Sequence, residues 1–122
     1  MGKKVEEIIK ALSLRMASWH ESEMGVKPSR VTVMMDAELV FIRFKDVLCQ
    51  SELNLIQESG GKELLREINQ RLCEEEFPAI SAIIRQETGL ELMEIHSSTS
   101  MRLHEKIYIL TLDRPLQEAC YV

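Results

Sequence analysis

Apolar residues recur every three or four positions through the first two dozen residues: Val5, Ile8, Ile9, Leu12, Met16 and Trp19, with Lys, Glu and Ser between them. That spacing gathers them on one side of a 3.6-residue repeat and predicts an amphipathic helix over residues 3–24. Gly25 and then Pro28 supply its stop. The period then falls to two. Residues 31–35 (VTVMM) and 39–44 (LVFIRF) read as strands, with Asp36-Ala37 as the tight turn of a β-hairpin. The second strand carries Val40, Ile42 and Phe44 on one face but also Leu39 and Phe41 on the other. A strand wetted on one side alternates cleanly, and this one does not.

A short helix is expected from about Ser51, cut off by Ser59-Gly60-Gly61. Residues 62–88 return to the helical period, with Leu65, Ile68, Leu72, Ile80, Ile83 and Ile84 as the predicted buried stripe. Pro78 lies inside this stretch and predicts a kink between residues 74 and 78, and Gly89 closes the helix. Two further strands follow at 90–96 and 106–112, joined by the polar segment 97–105, and the last again has apolar residues of both parities. The chain divides into one domain over residues 1–115 and a loose C-terminal tail over 116–122.

The fold class predicted is α+β: a four-stranded, largely antiparallel sheet of two hairpins, with an N-terminal and a long central helix, in the order α-β-β-α-α-β-β. Two strands apolar on both sides need cover on both sides. Either the N-terminal helix folds over the second face, or a second subunit does, and a homodimer is the expectation.

Composition narrows the chemistry. An apolar fraction of 45% supports a packed core, so disorder is excluded as the main state. Acidic residues outnumber basic ones, 20 to 15, and the bases are scattered, which argues against a nucleic-acid surface. No apolar run reaches the ~20 residues of a membrane span and no signal-peptide core is visible, so direct membrane insertion is not expected and the location expected is cytoplasmic.

The three cysteines, Cys49, Cys73 and Cys120, and the three histidines show no metal-ligand spacing, and no cofactor motif is present. Glu74-Glu75-Glu76 reads as a solvated helix face, and Gly60-Gly61 as a hinge between helices rather than a phosphate loop. Two features remain as candidate sites. Arg30, Arg43 and Lys45 gather near one end of the first hairpin as an anion-attracting patch. Cys49 precedes a helix, where a thiolate is favoured, and is the candidate reactive thiol.

The order of several short motifs carries a family resemblance. Lys27-Pro28-Ser29-Arg30-Val31-Thr32-Val33 is followed by Leu39-Val40-Phe41-Ile42-Arg43-Phe44 and then by Leu48-Cys49-Gln50-Ser51-Glu52-Leu53. Glu87-Thr88-Gly89 ends the long helix, and Leu110-Thr111-Leu112-Asp113 ends the last strand. Together these resemble the MpsC-like family of small bacterial proteins, over residues 8–113. Cys49 stands where that family usually has Thr, so Ser51 is expected to take over the helix cap. The stretch Gly25-Val26-Lys27-Pro28 lacks the family's second glycine.

The resemblance supplies no catalytic residue. It implies a small soluble companion of a membrane-potential-generating or bicarbonate-related transport system. The function expected is therefore a non-catalytic cytoplasmic accessory or regulatory protein, acting through contacts with a protein partner that is membrane-associated. Two alternatives follow from the candidate sites: a module sensing a nucleotide or other small anion through Arg30, Arg43 and Lys45, with 97–105 as a mobile loop, and a cysteine-dependent enzyme using Cys49.

Overall fold

The structure, a computed structural model, describes residues 5–121; the predicted helix start at Lys3 and the side chain of Cys120 lie outside the described residues. The elements follow the predicted order. Helix α1 (Val5–Met24) leads into strands β1 (Arg30–Asp36) and β2 (Leu39–Lys45). The short α2 (Gln50–Leu55) precedes the long α3 (Gly61–Thr88). Strands β3 (Leu92–Ser100) and β4 (Glu105–Leu112) complete the sheet, and a 3-10 helix spans Leu116–Tyr121. The four strands lie in the order β1-β2-β4-β3, every neighbouring pair antiparallel.

The first hairpin turns one residue later than the sequence suggests. Asp36 pairs with Leu39, leaving Ala37-Glu38 as the two-residue loop, with Ala37 in the left-handed region at φ 53°. The loop is held from outside, because Leu112 N–H donates to the Glu38 carbonyl at 2.8 Å and Leu116 N–H to that of Ala37 at 3.1 Å. Where a loose tail is expected, Leu116 is therefore tied to the sheet end and buried in the core.

The second hairpin differs more. Ser97–Ser100, placed by composition in a loop, continue β3, and the connection shrinks to residues 101–104. Ladder pairing holds these polar residues: Ser97 lies opposite Tyr108, Thr99 opposite Lys106, and Ser100 opposite Glu105. The loop expected over 97–105 is thus confined to residues 101–104, since backbone pairing satisfies 97–100 whatever their side chains prefer.

Both large helices pack on the same face of the sheet. Ile8, Leu12, Met16 and Trp19 of α1 and Cys73, Ile80, Ile83 and Ile84 of α3 share one core with Val33, Val40, Ile42, Phe44, Ile95, Tyr108 and Leu110. The α1 helix does not cross to the other side. Arg15 links the helices through a 2.9 Å ion pair to Glu87.

Helix α3 runs unbroken for 28 residues, about 42 Å, with Pro78 inside it. Four residues of its predicted buried stripe, Leu65, Ile80, Ile83 and Ile84, are buried, and Ile68 and Leu72 are not. Leu65, Asn69, Cys73, Glu76, Ile80, Ile83 and Ile84 face inward, while Ile68 is 40% exposed and Leu72 is half-buried. The steps of four and three residues from Leu65 to Ile80 follow one line along the helix. Two polar side chains on that line are drawn inside because the sheet offers them partners.

Candidate interaction face and the buried polar seam

Alternation along the strands sends every second side chain away from the helices. Cross-strand register arranges these outward side chains in four rows. One end row is Arg30, Lys45, Glu105 and Ser100, and the next is Thr32, Arg43, Ile107 and Ser98. Then come Met34, Phe41, Ile109 and His96, and finally Asp36, Leu39, Thr111 and Glu94. The middle of the face is apolar, one end is basic and the other acidic. No described element packs on it, and Met34 remains 60% exposed.

At the strand and residue spacings of a sheet the face measures roughly 450 Å². Its apolar centre occupies only the middle rows of that area, and an exposed apolar patch rimmed by charge is the kind of surface that marks protein contacts. The central β2 and β4 are apolar on both sides, as the sequence indicates, and only one side is used within the chain.

The register brings Arg30, Arg43 and Lys45 together at the basic end. Arg30 pairs with Lys45, and Arg43 lies one row further along the same face. Arg43 is already engaged: its Nε donates to Glu105 Oε2 at 2.8 Å, and Glu105 is buried. The free anion-binding capacity of the patch is thereby reduced to Arg30 and Lys45.

Cys49 lies elsewhere, at the start of α2 on the helical side. It is the N-cap itself, and Ser51 does not take its place. Glu52 supplies the capping bond by reaching back, its Oε1 accepting from Cys49 N–H at 3.1 Å. Among the described residues the Cys49 sulfur has one side-chain hydrogen-bond contact, Ser51 Oγ at 3.5 Å, and a serine hydroxyl is not a base that activates a thiol. Cys73 is buried between α3 and the sheet, and burial raises its thiol above the ordinary range.

The sequence concealed a seam of polar groups inside the core. Glu76, expected on a solvated face, is buried and accepts a 2.7 Å hydrogen bond from Tyr108 O–H. His20 is fully buried against Phe44, with ring centroids 5.0 Å apart, and its Nδ1 lies 2.8 Å from the Val26 carbonyl. Asn69 donates to Thr99 Oγ1 at 2.8 Å. Lys106, also buried, shares the inward parity of Tyr108, Leu110 and Leu112. Strand parity carried one pair further would have placed Lys106 inside, and the spacing from Leu65 would have done the same for Asn69 and Glu76.

Comparison with known proteins places the chain in a family. A family profile described as "MpsC: Na+-translocating membrane potential-generating system (MpsC)" matches residues 4–114. The chain belongs to the MpsC family. No curated protein and no solved structure matches it significantly. Among the described residues of this MpsC-family chain, no helix is long and apolar enough to cross a membrane.

Burial pushes the Glu76 carboxyl above the ordinary range, more than the Tyr108 bond and the Lys106 charge pull it down, while Glu23 and Glu75 add to the rise. A carboxyl raised on folding contributes stability at low pH that is lost as pH climbs through the folded value. His20, lowered chiefly by burial, acts in the opposite sense and loses stability as pH falls. Glu76→Gln keeps an acceptor for Tyr108 and removes only the first effect. The melting temperature of Glu76→Gln minus that of the native protein should therefore rise as pH climbs above the ordinary carboxylate range. His20 cancels in that difference. A flat difference would show that the buried carboxyl does not govern the pH response.

Proposed function

We propose that this protein is a non-catalytic accessory component of a Na+ membrane-potential-generating system, acting through protein contacts as a homodimer joined by the open sheet face. The family description supports the system, and the uncovered apolar row Met34-Phe41-Ile109 supports the mode of action. That row is the observation that carries the reading.

A second copy is the occupant because the face complements itself. An in-plane two-fold axis running across the strands through the Met34-Phe41-Ile109 row brings the row bearing Arg43 over the partner's row bearing Asp36 and Glu94. It also stacks the two apolar rows on each other. The basic patch then serves pairing rather than anion capture. The thiol of Cys49 has no part in the interface, consistent with a role that makes and breaks no bonds.

Light scattering on a size-exclusion column tests this. The native protein should elute with twice the chain mass, and Phe41→Glu should weaken dimerisation at least about 100-fold, because a carboxylate would be buried at the centre of the contact. Far-UV circular dichroism of Phe41→Glu should stay native, since Phe41 faces away from the core. A native protein that is monomeric at high micromolar concentration would defeat the homodimer, and the face would then belong to a different partner.

A further inference from the structure

On the helical side, well away from the open face, a cavity of about 280 Å³ lies between the end of α1, helix α2 and the first half of α3. Its walls are apolar: Val26, Val47, Leu55, Leu65 and Leu72. Lys106 and Glu52 also line it. This volume lies at the small end of ligand pockets and holds roughly nine water-sized volumes.

Lys106 is hard to explain as part of a core. It occupies an inward position of a central strand, opposite Phe44 on one side and Thr99 on the other, and is only 5% exposed. Its charge partner is Glu52 Oε2 at 3.6 Å, an ionic contact too long for a hydrogen bond. No hydrogen bond to the ammonium occurs among the described residues. Lys106 Nζ is not among the fully enclosed polar atoms that lack a partner, so the ammonium reaches the open side of the cavity with bonding capacity beyond its contact with Glu52. Glu52 is half-used in the same way: Oε1 holds the Cys49 amide at 3.1 Å, and Oε2 faces the lysine.

A lone anion would meet Glu52, and a lone cation would meet Lys106. A head group carrying both charges meets both members of the pair and adds no net charge to the site. We propose that this cavity binds an apolar α-amino acid, its carboxylate on Lys106, its ammonium on Glu52 and its side chain against Val26, Val47, Leu55, Leu65 and Leu72. An amino acid the size of leucine has nine non-hydrogen atoms, in keeping with the space. The site is independent of the dimer face, so either assignment can fail without the other.

L-leucine, 4-methylpentanoate and 3-methylbutylamine share one branched chain and differ only in the charged head. Titrating each into the ¹⁵N-labelled native protein should give saturable shifts at the Val26, Leu65 and Leu72 amides with leucine, with Kd below about 1 mM. Each single-charge analogue should bind at least tenfold more weakly. Lys106→Met and Glu52→Gln should each weaken leucine at least tenfold, and the Gln variant keeps an acceptor for the Cys49 amide. Val26→Trp, which fills the cavity from a half-buried position, should abolish the shifts in a protein that remains folded. Equal binding of either analogue, unchanged leucine affinity in the two charge variants, or no saturable binding at all would overturn the assignment.

Discussion

Phe44→Ala should cost about 3–5 kcal/mol of folding stability, enough to leave a domain of ordinary stability largely unfolded at growth temperature. Phe44 is fully buried at the middle of the core and carries contacts from three directions. Its ring stands edge-on to Tyr108 with centroids 5.4 Å apart, and lies 5.0 Å from His20. Across the ladder it is flanked by Val31 and Lys106. Removing it loses the transfer energy of the ring and leaves a cavity that rigid strands on both sides cannot close. It also uncovers the ring face of His20 and the stem of Lys106, two groups kept inside by being covered. Urea unfolding followed by circular dichroism gives the number. A loss below about 1 kcal/mol would mean that the core collapses around the gap, and the tight central packing described here would be wrong.

Gly61→Ala should cost about 3 kcal/mol, while Gly60→Ala beside it should cost about 1–2 kcal/mol. The two glycines serve different needs. Gly60 sits at φ 75°, a left-handed conformation that disfavours any side chain, but an added Cβ there meets nothing within 4 Å. Gly61 has no such backbone demand. A Cβ on it would lie 1.7 Å from the Leu55 carbonyl oxygen and 2.7 Å from its carbon, so the backbone of α2 would have to move. The pair is therefore one conformational turn and one close approach. Because α2 also forms a wall of the cavity, Gly61→Ala should disturb the Leu55 and Glu52 amides before distant ones. Parallel thermal melts decide it: equal losses at the two positions would show that the corner is set by torsion alone.

Much of the fold was readable because it depends on local repeats. The 3.6-residue spacing of Ile8, Leu12, Met16 and Trp19 predicts α1, and these four residues are buried. The double parity of apolar residues in β2 and β4 predicts strands with two apolar faces, which the register confirms. Turn and cap residues came close to their positions: Gly25 ends α1 and Gly89 ends α3, each with its N–H bonded back to the helix at 3.0 and 2.9 Å. Errors of one residue, as at Ala37-Glu38, arise because no Gly or Asn marks the left-handed turn position that Ala37 takes at φ 53°, and pairing across the strands sets the register.

The features that bear on function were read less well. Glu76, Asn69 and Lys106 look like surface residues by type, and each is inside. A polar side chain is moved from surface to core by a partner distant in sequence, and 32 positions separate Glu76 from Tyr108. Composition cannot report such a pairing. Ser97–Ser100 are a strand for the same reason, since their hydrogen bonds come from β4 rather than from any preference of serine.

Local pattern by itself thus determined the element order, the α+β class and the existence of a second apolar sheet face. All three result from the repeat of 3.6 or 2 residues and from the burial of apolar surface. Tertiary structure alone decided that α1 joins α3 on one side and leaves the other open, that Arg43 is spent on Glu105, and that Lys106 and Glu52 meet at a cavity. Those are contacts between segments tens of residues apart, whose geometry follows from closing the chain around its core and from no local preference.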